Sequence, residues 1–140
     1  MSKNLIDQLT LHEGSRQFVY KDTTGHWTIG VGRNISVGGM GLSEEEIVYL
    51  LKNDIRRVDK ELEKAFKFYV GLDPVRRDAL INLCFNIGLP RLRKFHLALR
   101  SLEVGDYEDA ALELLDSLWA SQVGKRAEDI AHMIRTGEYP

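Results

Sequence analysis

The sequence predicts an α+β fold in which helix dominates. Three observations carry that expectation: a β-rich run between residues 17 and 32, helical spacing of apolar residues on both sides of it, and capping residues where later helices begin. The 140 residues, 44% hydrophobic and 29% charged, amount to about one domain with enough apolar surface for a core of its own.

Asn4 to Glu13 places Leu5, Ile6 and Leu9 at helical spacing, a short amphipathic helix that Gly14 can end in a left-handed conformation. Glu13 then falls in the last turn, where the helix dipole disfavours a carboxylate by roughly 0.3–1 kcal/mol. Something other than helix stability keeps it there. From Gln17 to Gly32 the period changes: Phe18, Val19 and Tyr20, then "DTTGH", then Trp27, Thr28, Ile29 and Val31 read as a β-hairpin. Pairing centred near Thr24 and Gly25 puts Thr28 opposite Asp22 or one position removed. Gly30, Gly32 and "SVGGMG" mark a strand end and a flexible connection.

Ser43 three residues before Glu46 is a capping box, and Ile47, Leu51, Ile55, Val58, Leu62 and Ala65 carry a long helix on to about Phe68. Pro74 after Asp73 starts the next helix, with Ala79, Leu80, Leu83, Cys84 and Ile87 as its buried stripe. Pro90 breaks that run. A basic segment with Arg91, Arg93, Lys94 and Arg100 reads as a solvated face, because Glu103, Asp106, Glu108 and Asp109 follow at once. Gly105 and Asp106 are a stop and a cap before "YEDAALELLDSLW", and a last helix covers roughly Lys125 to Arg135.

The formal charge of −2 argues against a dedicated nucleic-acid binder. The one cysteine, Cys84, cannot form an internal disulfide and is expected to be a small buried apolar residue. The segment "MSKNLIDQLTLHEG" has no apolar stretch long enough for a signal-peptide core or a membrane span. "HEGSR" lacks the second His of the zinc-protease pattern, His26, His96 and His132 fall in different elements, and "GVGRNI" lacks the third Gly of a dinucleotide fingerprint. No metal and no cofactor are expected. An enzyme reading must rest on carboxylates.

A Glu and an Asp flanking one cleft can cleave a glycosidic bond, one protonating the leaving oxygen while the other handles water or the sugar cation. Glu13, expected at a buried helix end near aromatic residues, is the better proton donor, since desolvation raises a carboxyl pKa. Asp22, on a polar turn with Thr neighbours, is the better candidate to stay ionised. Spacing alone leaves open that Glu13 is a solvated helix-end residue and Asp22 a turn former.

The stretch "HEGSRQFVYKDTTGHWTIGVGR" resembles the active-site signature of the phage-type lysozymes: Glu-Gly, an aromatic strand, Tyr-x-Asp-x-x-Gly and Thr-Ile-Gly-x-Gly. "VRRDALINLCFNIG" is similar to the family's central C-lobe helix, and "KRAEDIAHMIRTGEY" to its C-terminal segment. Only the connection around residues 34 to 43 is short by comparison.

The resemblance implies a lysozyme-like fold and a single domain over residues 1–140. Its parts would be a hairpin-containing N-terminal lobe at about 14–42, a linking helix at about 43–68, and a helical C-terminal lobe at about 73–140, on which the first helix packs. It implies an inverting muramidase acting on peptidoglycan. Glu13 would be the acid, and Asp22 with Thr28 would position and activate a water on the other face of the sugar. Phe85 and Asn86 in "CFNIG", and Gln122 and Arg126 in "SQVGKR", match positions lining the cleft. Phe85 also reads as plain core, as do Trp27 and Trp119. Arg126 paired with Glu13 would lower that carboxyl's pKa and oppose the desolvation. Arg33 stands where many members have His, a position that forms a structural charged pair.

The expected protein is therefore an endolysin of phage or prophage, a monomer acting on glycan strands with neither nucleic acid nor stable membrane insertion. It would accumulate in the host cytoplasm until a partner such as a holin breaches the membrane, then act at the cell wall. A lytic transglycosylase and a non-catalytic wall-binding module are the rival readings. The first has no use for a water site at Asp22 and Thr28, and the second none for the retained acid.

Overall fold

In the computed structural model, which describes residues 3–140, the chain opens with α1 (Lys3–Glu13) and three strands, β1 (Arg16–Lys21), β2 (Trp27–Gly30) and β3 (Arg33–Asn34). The long α2 (Glu44–Ala65) follows, then a 3-10 turn (Tyr69–Gly71) and α3 (Pro74–Ile87). Five further helices complete it: α4 (Leu89–Leu92), α5 (His96–Glu103), α6 (Tyr107–Leu115), α7 (Leu118–Val123) and α8 (Lys125–Thr136). The helix-dominant α+β class is as expected. Two compact units divide after Leu50, within α2.

The first unit is built on a small antiparallel sheet of order β1-β2-β3. Gly14 ends α1 at φ +78, its N–H donating to the Thr10 carbonyl at 2.9 Å, which turns the chain into β1 directly after Glu13. The β1–β2 turn is tighter than the sequence reading placed it. Tyr20 faces Thr28 and Lys21 faces Trp27, so Asp22 lies opposite His26 and two positions from the partner of Thr28. The Asp22 N–H donating to the His26 carbonyl (2.9 Å) and the Gly25 N–H donating to the Asp22 carbonyl (3.0 Å) centre the turn on Thr24 alone.

The connection expected to be flexible is instead hydrogen-bonded. Arg33 and Asn34 form a short third strand on β2, and the Asn34 carbonyl accepts from Met40 (2.9 Å) and Gly41 (3.2 Å). Ser36 Oγ accepts from the Trp27 N–H at 2.7 Å. The glycines that read as slack supply positive φ at Gly38 and Gly41, which a tight loop needs. The capping box opens α2 as expected: Glu46 N–H donates to Ser43 Oγ (3.2 Å), and Ser43 N–H donates to Glu46 Oε1 (3.0 Å).

The second unit holds the hydrophobic core. Helix α2 ends at Ala65 rather than Phe68, because the chain tightens into the 3-10 turn that buries Tyr69. Asp73 caps α3 by accepting from the Arg76 N–H at 3.2 Å, and Ala79, Leu80, Leu83, Cys84 and Ile87 form its buried stripe as read from the sequence. Helix α3 packs on α8, and α8 on α6 and α7. Burial pushes the Cys84 thiol pKa up, with a further push from Glu61, as suits a structural residue. Gly88, at φ +80, ends α3, and Pro90 sits in the first turn of the short α4 that follows the break. The run "YEDAALELLDSLW" divides at Asp116 because Ser117 caps a separate α7, its hydroxyl accepting from the Ala120 N–H at 3.2 Å.

Arg76 ties the two ends of this unit's main packing together. It donates to the carbonyls of Ile134 (2.6 Å) and Arg135 (3.1 Å) at the end of α8, pairs with Asp73 at 2.9 Å, and lies 3.7 Å over the Tyr107 ring. Gly137 completes the joint in the left-handed region at φ +73, where a Cβ would come within 3.0 Å of the Arg76 guanidinium.

Candidate active site

Three of the site residues named from the sequence lie in the first unit, each on a different local structure. Glu13 is the last residue of α1, Asp22 opens the β1–β2 turn, and Thr28 is in β2. Glu13 is exposed, so the burial expected of the helix end is not found. Its carboxylate instead lies against the backbone of Gly32, where a Cβ would stand 2.9 Å from Oε2 and 3.2 Å from Cδ. Gly32 holds φ +70. Its lack of a side chain gives Glu13 its place beside the β2–β3 turn, a role for the second Gly of "GVG" that sequence reading did not assign.

Asp22 is held by a ring of donors from its own turn. Oδ1 accepts from the Thr24 N–H (2.9 Å), the Thr24 hydroxyl (2.8 Å) and the His26 N–H (2.9 Å). These bonds hold its pKa below the usual carboxylate value, the His26 N–H contributing most and the Thr24 hydroxyl next. The expectation that Asp22 stays ionised therefore has a cause in the turn itself. Oδ2 takes part in none of these bonds and lies 3.8 Å from Nδ1 of His26. The sequence reading gives Thr24 no role beyond the turn, although the Asp-x-Thr spacing is that of an Asx-type turn and signals the first of these bonds.

Thr28 is the one residue of the first unit that is buried among those described, at 3% exposure. Its hydroxyl donates to the His26 carbonyl at 3.0 Å, the same carbonyl that accepts from Asp22 N–H. Asp22 and Thr28 are thus both tied to His26 O. Arg33 forms the charged pair expected of it, with Nη1 donating to Glu46 Oε1 at 2.7 Å and to the Gly41 carbonyl at 3.1 Å. Glu46 is held below its ordinary pKa, chiefly by the Ser43 N–H and then by Arg33.

The other four candidates lie in the second unit. Phe85 is 47% exposed rather than core, and it lines an open hollow with Ile81, Asn82, Arg126 and Tyr139. Arg126 donates to Oδ1 (2.9 Å) and to the carbonyl (3.2 Å) of Asn82. Asn86 has a structural task, since its Oδ1 accepts from Nε1 of the buried Trp119 at 2.8 Å. Gln122 is exposed on α7. Of the tryptophans, Trp119 is core and packs edge-on against Phe95, whereas Trp27 is 48% exposed with the Lys21 ammonium 5.0 Å from its ring centre.

Against known proteins, the profile of the phage lysozyme family matches residues 10–133, a span that includes Glu13, Asp22 and Thr28. The chain belongs to the phage lysozyme family. It is a glycosidase, a peptidoglycan hydrolase of the endolysin kind. This lysozyme is 28% identical over 167 residues to "Probable T4-type lysozyme 1" of Dictyostelium discoideum, with 98% of the chain and 96% of that relative aligned. It is 34% identical over 125 residues to an endolysin of Salmonella phage P22, covering 85% of the chain and 82% of the relative. An endolysin of Acyrthosiphon pisum secondary endosymbiont phage 1 is 34% identical over 117 residues, covering 82% and 77%. Among the described residues of the lysozyme no helix is long and apolar enough to cross a membrane.

Proposed function

We propose that this lysozyme cleaves the bond from N-acetylmuramic acid to N-acetylglucosamine with inversion, Glu13 acting as the acid and Asp22 as the base. The observation that carries the reading is the unequal treatment of the two Asp22 oxygens. Oδ1 is saturated by three donors, while Oδ2 remains to take a proton from water, in a carboxyl held ionised by its turn. Thr28, whose own proton goes to His26 O, offers a lone pair to the second hydrogen of that water.

Glu13 has the complementary task. Exposed beside Gly32, its carboxyl is open to a sugar chain laid over it. It then gives its proton to the leaving oxygen. Phe85, half-exposed beside Arg126, is the face offered for stacking on a sugar, with Gln122 and the free amide nitrogen of Asn86 as polar contacts.

The test is clearing of purified peptidoglycan by wild type and by Glu13→Gln, with the released ends analysed for mass and anomeric form. Hydrated α-anomer ends from wild type alone support inversion with Glu13 as acid, and an inverting pair stands roughly 6.5–9.5 Å apart to admit its water. Retained β ends, or the anhydro sugars of a lytic transglycosylase, overturn the mechanism. No clearing with sugar still bound indicates a wall-binding module.

Host lysis is the setting that the endolysin relatives favour; in this reading the protein acts as a monomer on glycan strands, without nucleic acid, after a holin has opened the membrane from the cytoplasmic side. Lysis on co-expression with a holin, and none without it, is the expected result.

A further inference from the structure

We infer that His26 is a positioning residue for the water-activating carboxylate, acting on Asp22 through the hydroxyl of Thr24; the inference rests on the reading of Asp22 as the base. Nδ1 of His26 lies 2.7 Å from Thr24 Oγ1, which lies 2.8 Å from Asp22 Oδ1. The single hydroxyl proton can serve one of these two neighbours. Asp22 is ionised, and an oxygen at 2.8 Å facing it without a proton between them would set lone pair against negative charge. The proton therefore points to Asp22, and Nδ1 of His26 must carry the hydrogen that donates to Thr24. The imidazole, the hydroxyl and the carboxylate form a directed chain ending on Oδ1.

Two consequences follow for the reaction. The chain adds a side-chain donor to the two backbone donors on Oδ1, and the three together hold the carboxylate so that Oδ2 is the oxygen left for water. The second consequence is electrostatic. Nδ1 carries its hydrogen in both charge states of the ring, so protonation of His26 leaves the hydrogen bond in place and adds a positive charge 3.8 Å from Oδ2. That charge stabilises the ionised carboxylate and weakens it as a base. Asp22 is the charged group facing His26 in this turn; the Lys21 ammonium, one residue away, is placed over the Trp27 ring.

The experiment compares kcat and KM across pH on soluble peptidoglycan fragments for wild type, His26→Asn, His26→Phe, Thr24→Val, Thr24→Ser and Asp22→Asn, with melting followed for each. Asn places an amide N–H near the position of Nδ1 without a titrating charge. His26→Asn, which keeps an N–H donor for Thr24, is expected to recover most of the kcat that His26→Phe loses. His26→Phe and Thr24→Val should each lower kcat about 5-fold with KM unchanged, the double variant no further than either alone, and Thr24→Ser should restore the rate. Loss of melting temperature with kcat unchanged, or additive losses in the double variant, overturns the inference. Asp22→Asn separates the two levels: if it clears like wild type, the base assignment itself fails. If it is inactive while His26→Phe and Thr24→Val match wild type, the base stands and the relay is wrong.

Discussion

The carboxylate of Glu13 rests on Gly32, so close that a methyl group there would stand 2.9 Å from Oε2. Gly32 also holds φ +70, a region that costs an L-residue roughly 1–2 kcal/mol. Gly32→Ala is therefore expected to be destabilised by about that amount, measured by urea unfolding. It should also lose more activity than stability explains, at least about tenfold in kcat, because the acid is pushed off its place and small misplacements of a reacting group are expensive. Wild-type turnover in a folded Gly32→Ala would disconnect this contact from catalysis.

Asp22 makes stability depend on acidity. Its native pKa is lowered, first by the His26 N–H and then by the Thr24 hydroxyl, so it contributes stability that is present above the unfolded value near about 3.9 and lost as pH falls through the native value. Below pH 4, Asp22→Asn should show a flatter decline in unfolding free energy than wild type. A carbon-detected NMR titration should find the Asp22 carboxyl titrating below the ordinary aspartates, moving upward in Thr24→Val.

Arg33 and Glu46 form a pair that is about one-third exposed on each side, so solvent screens it and its contribution is small. Glu46→Gln is expected to cost under about 1 kcal/mol, less in high salt, with no change between pH 6 and 8 because Glu46, held below its ordinary pKa, stays ionised there. Arg33→His should introduce such a pH dependence, with stability present at low pH and lost as the imidazole deprotonates. Thermal melts across pH at two salt concentrations distinguish the variants.

Arg76 is a different case, with a side chain only 15% exposed and charge-assisted bonds to two carbonyls that end α8. Arg76→Met keeps much of the bulk over Tyr107 but removes every donor. A loss of about 1.5–3 kcal/mol is expected, with an unchanged denaturant slope if unfolding stays two-state. Lys at this position should recover only part, because one ammonium cannot reproduce a planar fork reaching Asp73, Ile134 and Arg135 together.

Local patterns made much of this legible. The stripe on α3, the Ser43–Glu46 box, the Gly14 stop and the strand-forming run after it each depend on neighbours within a turn or two, so periodicity and capping chemistry suffice. The divergence at the hairpin has an equally local origin. A turn centred on Thr24 instead of between Thr24 and Gly25 slips the register and sets Asp22 opposite His26. Composition does not distinguish those registers, because both keep the same residues in the strands; the observed one lets the Asp22 side chain accept from Thr24 and His26.

By itself the sequence determined the class of fold, the capped starts of α2 and α3, the Gly14 stop, the core stripe and the family signature that names Glu13, Asp22 and Thr28, because these reside in short-range spacing and residue chemistry. Only the tertiary structure decided what each side chain touches. It placed Phe85 half in solvent, committed Asn86 to Trp119, ordered the glycine-rich connection through Asn34, and left Glu13 exposed against Gly32. The physical reason is that contact and burial depend on where distant segments fold back. Periodicity says which face of an element is apolar, and carries no information about which partner arrives to cover it.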